Sequence, residues 1–426
     1  MFGNEISDYK QLKEIRKRIS NDLRLKVALK NVLQCGVKVP TVNSFRGVAL
    51  VANNTMAQFV GTTHCKSPWC CPVCTARKMA KYADKIGAGL DALKDSFNAA
   101  MITFTIPHTS GFTCEQATEI LYNVWKAFTV HGNKRNGTNV HDIFSNCMAD
   151  LESKHRVRVT EYTYGNAGWH PHMHCLFWVP KKNWDKVLDW EEKLQERWLE
   201  LCKRYTIRQL LIGYPETQRK TVKAKVTTRI NIMYSKLNAT SKCVYISKEG
   251  NKPIIQNSSN YLCGWGGNRE VTGNFNNKAT AEGHYTWQQI LQLAIDTGDD
   301  KWWQLYFEYA LATKKARHAR VNFSAQSGLC KIIADYQNTN GYKEVLKKKN
   351  MQRESKQGKY KVVCWFSAPL WQNICERDLE IPILELAILD NAYQKICDLL
   401  ERRDLPKPVQ KVEGGGEKLT AWIEAA

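Results

Sequence analysis

Three histidines stand at alternate positions in the segment Gly168-Trp-His170-Pro-His172-Met-His174. In an extended strand, residues two apart project from the same face, so His172 and His174 can grip one cation while Met173 turns into a core. A lone histidine is more often a satisfied core residue. Two at this spacing, with a third just before them, favour a metal site. Imidazoles alone suit zinc, whereas imidazoles with a carboxylate also accept Mn2+ or Mg2+. Glu161 supplies that carboxylate if the strand before the 165–168 turn pairs with the histidine strand in the simplest register. It is the expected third ligand, the alternative being a plain surface glutamate. His170 is expected to support the ligands from behind or to belong to the turn. There is no HExxH, and no aspartate follows the histidines, so zincin and metallo-β-lactamase patterns are excluded.

A second cluster lies upstream in HCKSPWCCPVCTARK. Cys71 and Cys74 have the two-residue gap with which one tight turn presents two thiolates to a tetrahedral ion, and Cys65 stands near them. The fourth donor is expected to be Cys35, which precedes Gly36 in a break between elements; Cys70 and His64 are the nearer alternatives. A thioredoxin-like redox pair would have fewer competing thiols around it. A structural Zn2+ is the expected occupant, doing no chemistry and bracing the N-terminal unit against the core of the chain.

These groups need rigid elements behind them. The stretch 5–34 has helical apolar spacing (Leu12, Ile15, Ile19, Leu23, Val27, Leu33), and VALVANN from Val48 reads as a strand. The cysteines run straight into the helical pattern ARKMAKYADKIGAGLDAL. AAMITFTIPH reads as a buried strand, EQATEILYNVWKAFTVHG as a helix, and HRVRVTEYTYG with WHPHMHCLFWVP as an antiparallel pair. A helix over 183–205 and strands at TTRINIMY and KCVYIS complete an α+β block. Beyond it, YTWQQILQLAIDTG and DDKWWQLYFEYALATKKARHAR are helical. KEVLKKKNMQRESKQGKYK reads as a solvated connector, and a helix over 381–402 precedes a loose tail. The expected division is 1–95 as a basic helix and zinc-binding unit, 96–275 as the core with a central antiparallel sheet flanked by helices, 276–405 as a helical accessory region and 406–426 as a flexible tail.

Lys and Arg number 62 against 41 Asp and Glu, a formal charge of +21. That excess favours a polyanionic partner such as nucleic acid, without saying which sequence, because phosphates carry none. No run of about 18 apolar residues occurs and the first residues are polar, so neither a membrane span nor a secretory signal is expected. Fifteen cysteines without an export signal point to a reducing, cytoplasmic setting in which most are small core hydrophobes.

The WHPHMH segment resembles the histidine-hydrophobic-histidine motif of the HUH endonucleases, and GWHPHMH is especially similar to that of rolling-circle replication initiators from bacterial plasmids and phages. Cys35-Gly36 with Cys65 to Cys74 resembles that group's cysteine-rich front, and MITFTIPH its first strand motif. SNYLCGWGGNREVTG resembles the tyrosine motif, and HYTWQQILQLA with FSAQSGLCK the downstream helical signature. The matches lie as islands between residues 35 and 331. By this resemblance Tyr261 is the nucleophile, capped into a helix by Ser258 or Ser259. One departure stands out: Gly264 occupies the position where such initiators commonly carry a lysine, three residues after the tyrosine.

The resemblance implies sequence-specific nicking of a single-stranded or hairpin origin. A phenol is a poor nucleophile and a phosphodiester repels anions, so the ion at His172, His174 and Glu161 would polarise the phosphate while Tyr261 attacks it. The 5′ side would remain as a phosphotyrosine and a 3′ hydroxyl would be freed for priming. No GxxxxGK[ST] occurs, so strand separation would fall to a host helicase, with a host polymerase extending the end. A single-strand transposase or mobilisation relaxase shares this chemistry. A non-enzymatic zinc-dependent DNA-binding protein is the reading from a different class.

Overall fold

The computed structural model describes residues 5–40, 47–107, 111–129, 143–238, 244–247, 284–315, 319–324 and 328–410. The helices are α1 (Glu5–Ser20), α2 (Leu23–Ala28), α3 (Lys30–Leu33), α4 (Pro72–Leu93), α5 (Cys114–Thr129), α6 (Ile143–Asp150), α7 (Glu191–Ile212), α8 (Glu216–Asn238), α9 (Trp287–Thr297), α10 (Asp300–Lys315), α11 (Leu329–Gln337), α12 (Asn340–Gln357), α13 (Ala368–Glu376), α14 (Glu380–Ala387) and α15 (Ala392–Glu401). The strands are β1 (Gly47–Ala52), β2 (Ala57–Val60), β3 (Phe97–Thr105), β4 (Arg156–Gly165), β5 (Gly168–Pro180), β6 (Val244–Ser247), β7 (Tyr285–Thr286), β8 (Val321–Phe323) and β9 (Lys361–Ser367). This is an α+β protein with antiparallel sheets. Its contacts form two units, one joining Met1–Lys78 to Thr339–Ala426 and the other spanning Met79–Asn338.

The second unit is built on a sheet ordered β6-β3-β5-β4-β7, with β8 also paired to β4. The long β4/β5 hairpin closes at Gly165 opposite Gly168. Strand periodicity sends Met173 and Phe104 to one face, where both are fully buried. There Phe104 meets Trp198 of α7 at 4.8 Å, Phe128 of α5 at 5.3 Å and Phe144 of α6 at 6.1 Å between ring centroids. Each such ring removed from water contributes about 1.5–3 kcal/mol, which holds this face of the sheet to its helices. The other face carries Trp178 and, toward the hairpin tip, the histidines. Gly89 of α4 lets Trp178 and Ile333 of α11 approach; a Cβ there would meet Ile333 at 3.2 Å.

The hairpin tip is anchored by the region after residue 284. Trp169 stacks on Tyr309 of α10, which stacks on Trp287 of α9 with rings 9° apart. Glu308 accepts from the Trp169 indole at 3.1 Å and from the Cys114 backbone N–H, at the start of α5, at 2.7 Å. Trp287 and Trp303 are therefore packing residues, 2% and 5% exposed.

The first unit contains the sheet β2-β1-β9. Gly47 pairs with Ser367 and Val48 with Phe366, so the two ends of the chain build one core. Phe59 packs on Trp371 at 4.5 Å, the Trp371 indole donates to the Val37 carbonyl, and Arg16 pairs with buried Glu380 at 2.8 Å. Residues 276–405 are thus not one accessory region: the part up to 338 packs with the 79–338 unit, and the part from 339 with the N-terminal segment.

Three local expectations change. TTRINIMY lies in α8 instead of a strand, because the Gln, Arg, Lys and Ala before it propagate a helix through its short alternation. The lysine-rich connector is α12, begun by the Thr339 side chain accepting from the Tyr342 N–H and ended at Gly358. The helix over 381–402 is split into α14 and α15 near Asn391, whose φ is +56°. Of the expected tail, Val409 bridges to Trp365, and residues 411–426 lie outside the described residues.

Candidate metal centres

The β4/β5 register sets Glu161 directly opposite His172, and the β3/β5 register sets Thr103 opposite His174. Directly opposed residues share a face, so one oxygen of Glu161, Oε2, lies 3.5 Å from Nε2 of His172 and 3.5 Å from Nε2 of His174. Two donors each about 2.1 Å from one ion stand roughly 3 to 3.5 Å apart, so the three groups match a shared cation. All three ligand atoms lie within 4.8 Å of one another.

The outer ring nitrogens decide which atom faces the site. His174 Nδ1 is 2.9 Å from the Thr103 hydroxyl, and His172 Nδ1 is 3.3 Å from the His170 carbonyl. Donation from both Nδ1 atoms would leave the Nε2 lone pairs for a metal, which would then take the place of the Nε2–H contacts to Glu161. His170 thus supports His172 through its backbone oxygen, while its own ring stands 5.2 Å from the His172 ring.

Glu161 is almost fully buried, and burial pushes its carboxyl upward; the hydrogen bonds from His172 and His174 outweigh that and hold it at about 2. It is a carboxylate kept ionised inside the protein. Its second oxygen, Oε1, is enclosed with no hydrogen-bond partner, an orphan acceptor of the kind a cation satisfies.

Thr103 is the functional residue that the pattern of histidines does not reveal. The visible signal is a polar residue in an otherwise apolar strand, but only the β3/β5 register connects it to His174. Thr103→Val removes the acceptor without changing the shape, and it is expected to weaken divalent-metal affinity about 10- to 100-fold, measured by titration calorimetry with Mn2+.

In the other unit Cys35, Cys65, Cys71 and Cys74 converge. Cys35 Sγ lies 3.7 Å from Cys71 Sγ and 3.5 Å from Cys74 Sγ. Sulfurs bound tetrahedrally at about 2.3 Å stand about 3.8 Å apart, so the four thiols are spaced for one ion. Cys35 comes from the turn after α3, and Gly36 makes that turn possible. Its φ is +74°, its N–H donates to Thr63, and a Cβ would press on the Tyr9 ring at 3.2 Å. Cys74 sits in the first turn of α4, where the helix dipole favours a thiolate.

The cluster favours ionisation. Hydrogen bonds from Cys65 and then Cys71 hold the Cys35 thiol down at about 6, and those from Cys35 and Cys65 drive Cys74 below the ordinary thiol range. Cys65, through its hydrogen bond to Cys35, and Cys71, chiefly through burial, keep their protons. The Cys65 backbone N–H also donates to Cys35 Sγ at 3.4 Å. His64, one of the two alternative ligands, receives Arg77 on Nε2 at 2.8 Å and turns Nδ1 toward Cys35 at 3.9 Å, so it borders the cluster. Cys70, the other, lies against the Ser67 hydroxyl, with its thiol pushed up by burial to about 11.

Tyr261 and the serines before it lie outside the described residues. Among the described residues no helix is long and apolar enough to cross a membrane. Comparison with models of known protein families, with curated proteins and with solved structures returned no match.

Proposed function

We propose that the protein is a metal-dependent DNA-nicking enzyme of the HUH type, which uses Tyr261 as nucleophile and initiates rolling-circle replication of a plasmid or phage. The observation that carries this reading is the convergence of Glu161, His172 and His174 on one point from adjacent strands. Two imidazoles and a carboxylate form a donor set for Mn2+ or Mg2+ as well as zinc, and fewer protein ligands than a closed structural site uses leave positions for substrate oxygens. The four-cysteine cluster, by contrast, is a closed set suited to a structural Zn2+.

A divalent cation at Glu161, His172 and His174 would polarise a phosphodiester oxygen and offset its negative charge. The Tyr261 oxygen would then form a bond to phosphorus as the bond to the 3′ oxygen breaks. The phenol proton passes to solvent and the 3′ oxygen leaves as a hydroxyl. The strand's 5′ phosphate stays on the enzyme, so the ester can later be transferred back without ATP. The charge of +21 suits the DNA partner, and a host helicase and polymerase would act on the opened strand.

The test is incubation with Mn2+ and a single-stranded hairpin oligonucleotide labelled on its 3′ side. A labelled species of protein mass that survives denaturation and disappears with EDTA is the expected result. Tight binding without any adduct would instead indicate a non-catalytic zinc-dependent DNA-binding module.

A further inference from the structure

Arg158 is a cation that the metal site does not use. Strand periodicity turns it away from Glu161, onto the face that α5 covers. Its guanidinium carbon lies 5.5 Å from the ring centroids of both Tyr122 and Trp125. Two residues back on the same face, the guanidinium of Arg156 lies 5.5 Å from the Phe144 ring. Asn322 of β8 pairs directly opposite Arg158, and its side chain is exposed.

The clamp leaves Arg158 incompletely satisfied. Its Nε is enclosed with no hydrogen-bond partner, and burial lowers its pKa from the ordinary arginine value. Among the described residues no carboxylate pairs with it, and the Arg156 guanidinium beside it adds to the effect of burial. A largely buried charge without a counterion is costly, and ring faces return only part of that cost. An arginine that rests against two rings, with no hydrogen bond from its outer nitrogens among the described residues, has its fork available to a bidentate anion.

We propose that Arg158, with Arg156 beside it and Asn322 across from it, receives a phosphodiester of the bound DNA strand. This rests on the nuclease reading for its partner. The phosphate is favoured by the fork geometry of the guanidinium, which matches two oxygens of one anion. Arg158 and Glu161 are three residues apart on β4, roughly 10 Å along the strand at about 3.3 Å per residue but on opposite faces of the sheet, so a DNA strand engaging both would pass around the edge outside β8.

The experiment measures binding of a labelled single-stranded oligonucleotide by anisotropy across a salt series, in EDTA so that no cleavage intervenes. Arg158→Met is expected to weaken binding roughly tenfold and to reduce the slope of log affinity against log salt by about 0.7 to 0.9. Its melting temperature should hold or rise, since an uncompensated charge is removed. Arg158→Lys, which keeps the charge and loses the fork, should retain the slope with reduced affinity. Wild-type affinity and slope in Arg158→Met would overturn the proposal, as would loss of binding that merely tracks a fall in melting temperature. Inorganic phosphate that binds through Arg158 while oligonucleotide affinity stays independent of it would also overturn the assignment to DNA. The adduct assay separates the two ideas. No adduct in the wild type, with weakened binding in Arg158→Met, removes the nuclease reading and leaves the strand site; an adduct with unchanged binding removes the strand site alone.

Discussion

Cys71→Ser is expected to release the metal of the four-cysteine cluster and to cost the first unit more than about 4 kcal/mol, enough to end its cooperative folding. The size follows from what the cluster joins. Cys35 is held in a turn after α3, Cys65 in the loop after β2, and Cys71 and Cys74 at the start of α4. An ion there would tie together three segments far apart in sequence, so its binding energy would be folding energy for them. Serine keeps the volume and removes the soft thiolate, leaving three sulfurs and a poorer oxygen donor. The second unit has its own aromatic core around Phe104 and should keep its transition. Cys70→Ser is the control, because that thiol is buried beside the cluster but bonded to Ser67. It should retain the metal. Metal content by atomic absorption and unfolding by calorimetry read both variants; full zinc content in Cys71→Ser would remove the ligand assignment.

The parts of this molecule legible from sequence are those that depend on short spacings. His172 and His174 share a face because strands have a period of two, and Cys71 and Cys74 face one point because a helix start turns tightly. Glu161 can be reached across the hairpin because the turn at 165–168 restricts the register. Thr103 is beyond that reach: β3 meets β5 through a pairing of distant segments, and nothing local distinguishes one register from the next. The division into units is hidden for the same reason. β9 pairs with β1, and no periodicity near Lys361 announces a partner at Ala52. At TTRINIMY the local signal misleads, since its two-residue alternation is overruled by the helix-forming residues before it. The lysine run of α12 misleads differently: charge density reads as lack of order, although Lys, Glu, Gln and Met are all helix formers and Thr339 supplies a cap.

Removing His174 should cut covalent adduct formation by orders of magnitude and removing the Tyr261 hydroxyl should abolish it, with different accompanying losses. His174→Ala takes one of two imidazoles from a buried carboxylate, so the remaining pair should lose most of its divalent-metal affinity. Nicking should then fall by roughly a thousandfold or more, about 4 kcal/mol of barrier. DNA binding measured in EDTA should not change, because His174 is nearly buried and its ring faces Glu161 and Thr103 instead of the surface. Tyr261→Phe should retain both metal and DNA and lose the adduct completely, since no other group would carry the ester. High Mn2+ should partly restore Thr103→Val, where the ligands remain and only their aim is loosened, and should never restore Tyr261→Phe. The pattern across the three variants carries the argument. A positioning defect yields to mass action, a missing ligand yields weakly, and a missing nucleophile does not yield at all. Wild-type adduct formation by Tyr261→Phe would move the nucleophile to another residue, and wild-type nicking by His174→Ala would remove the metal from the chemistry.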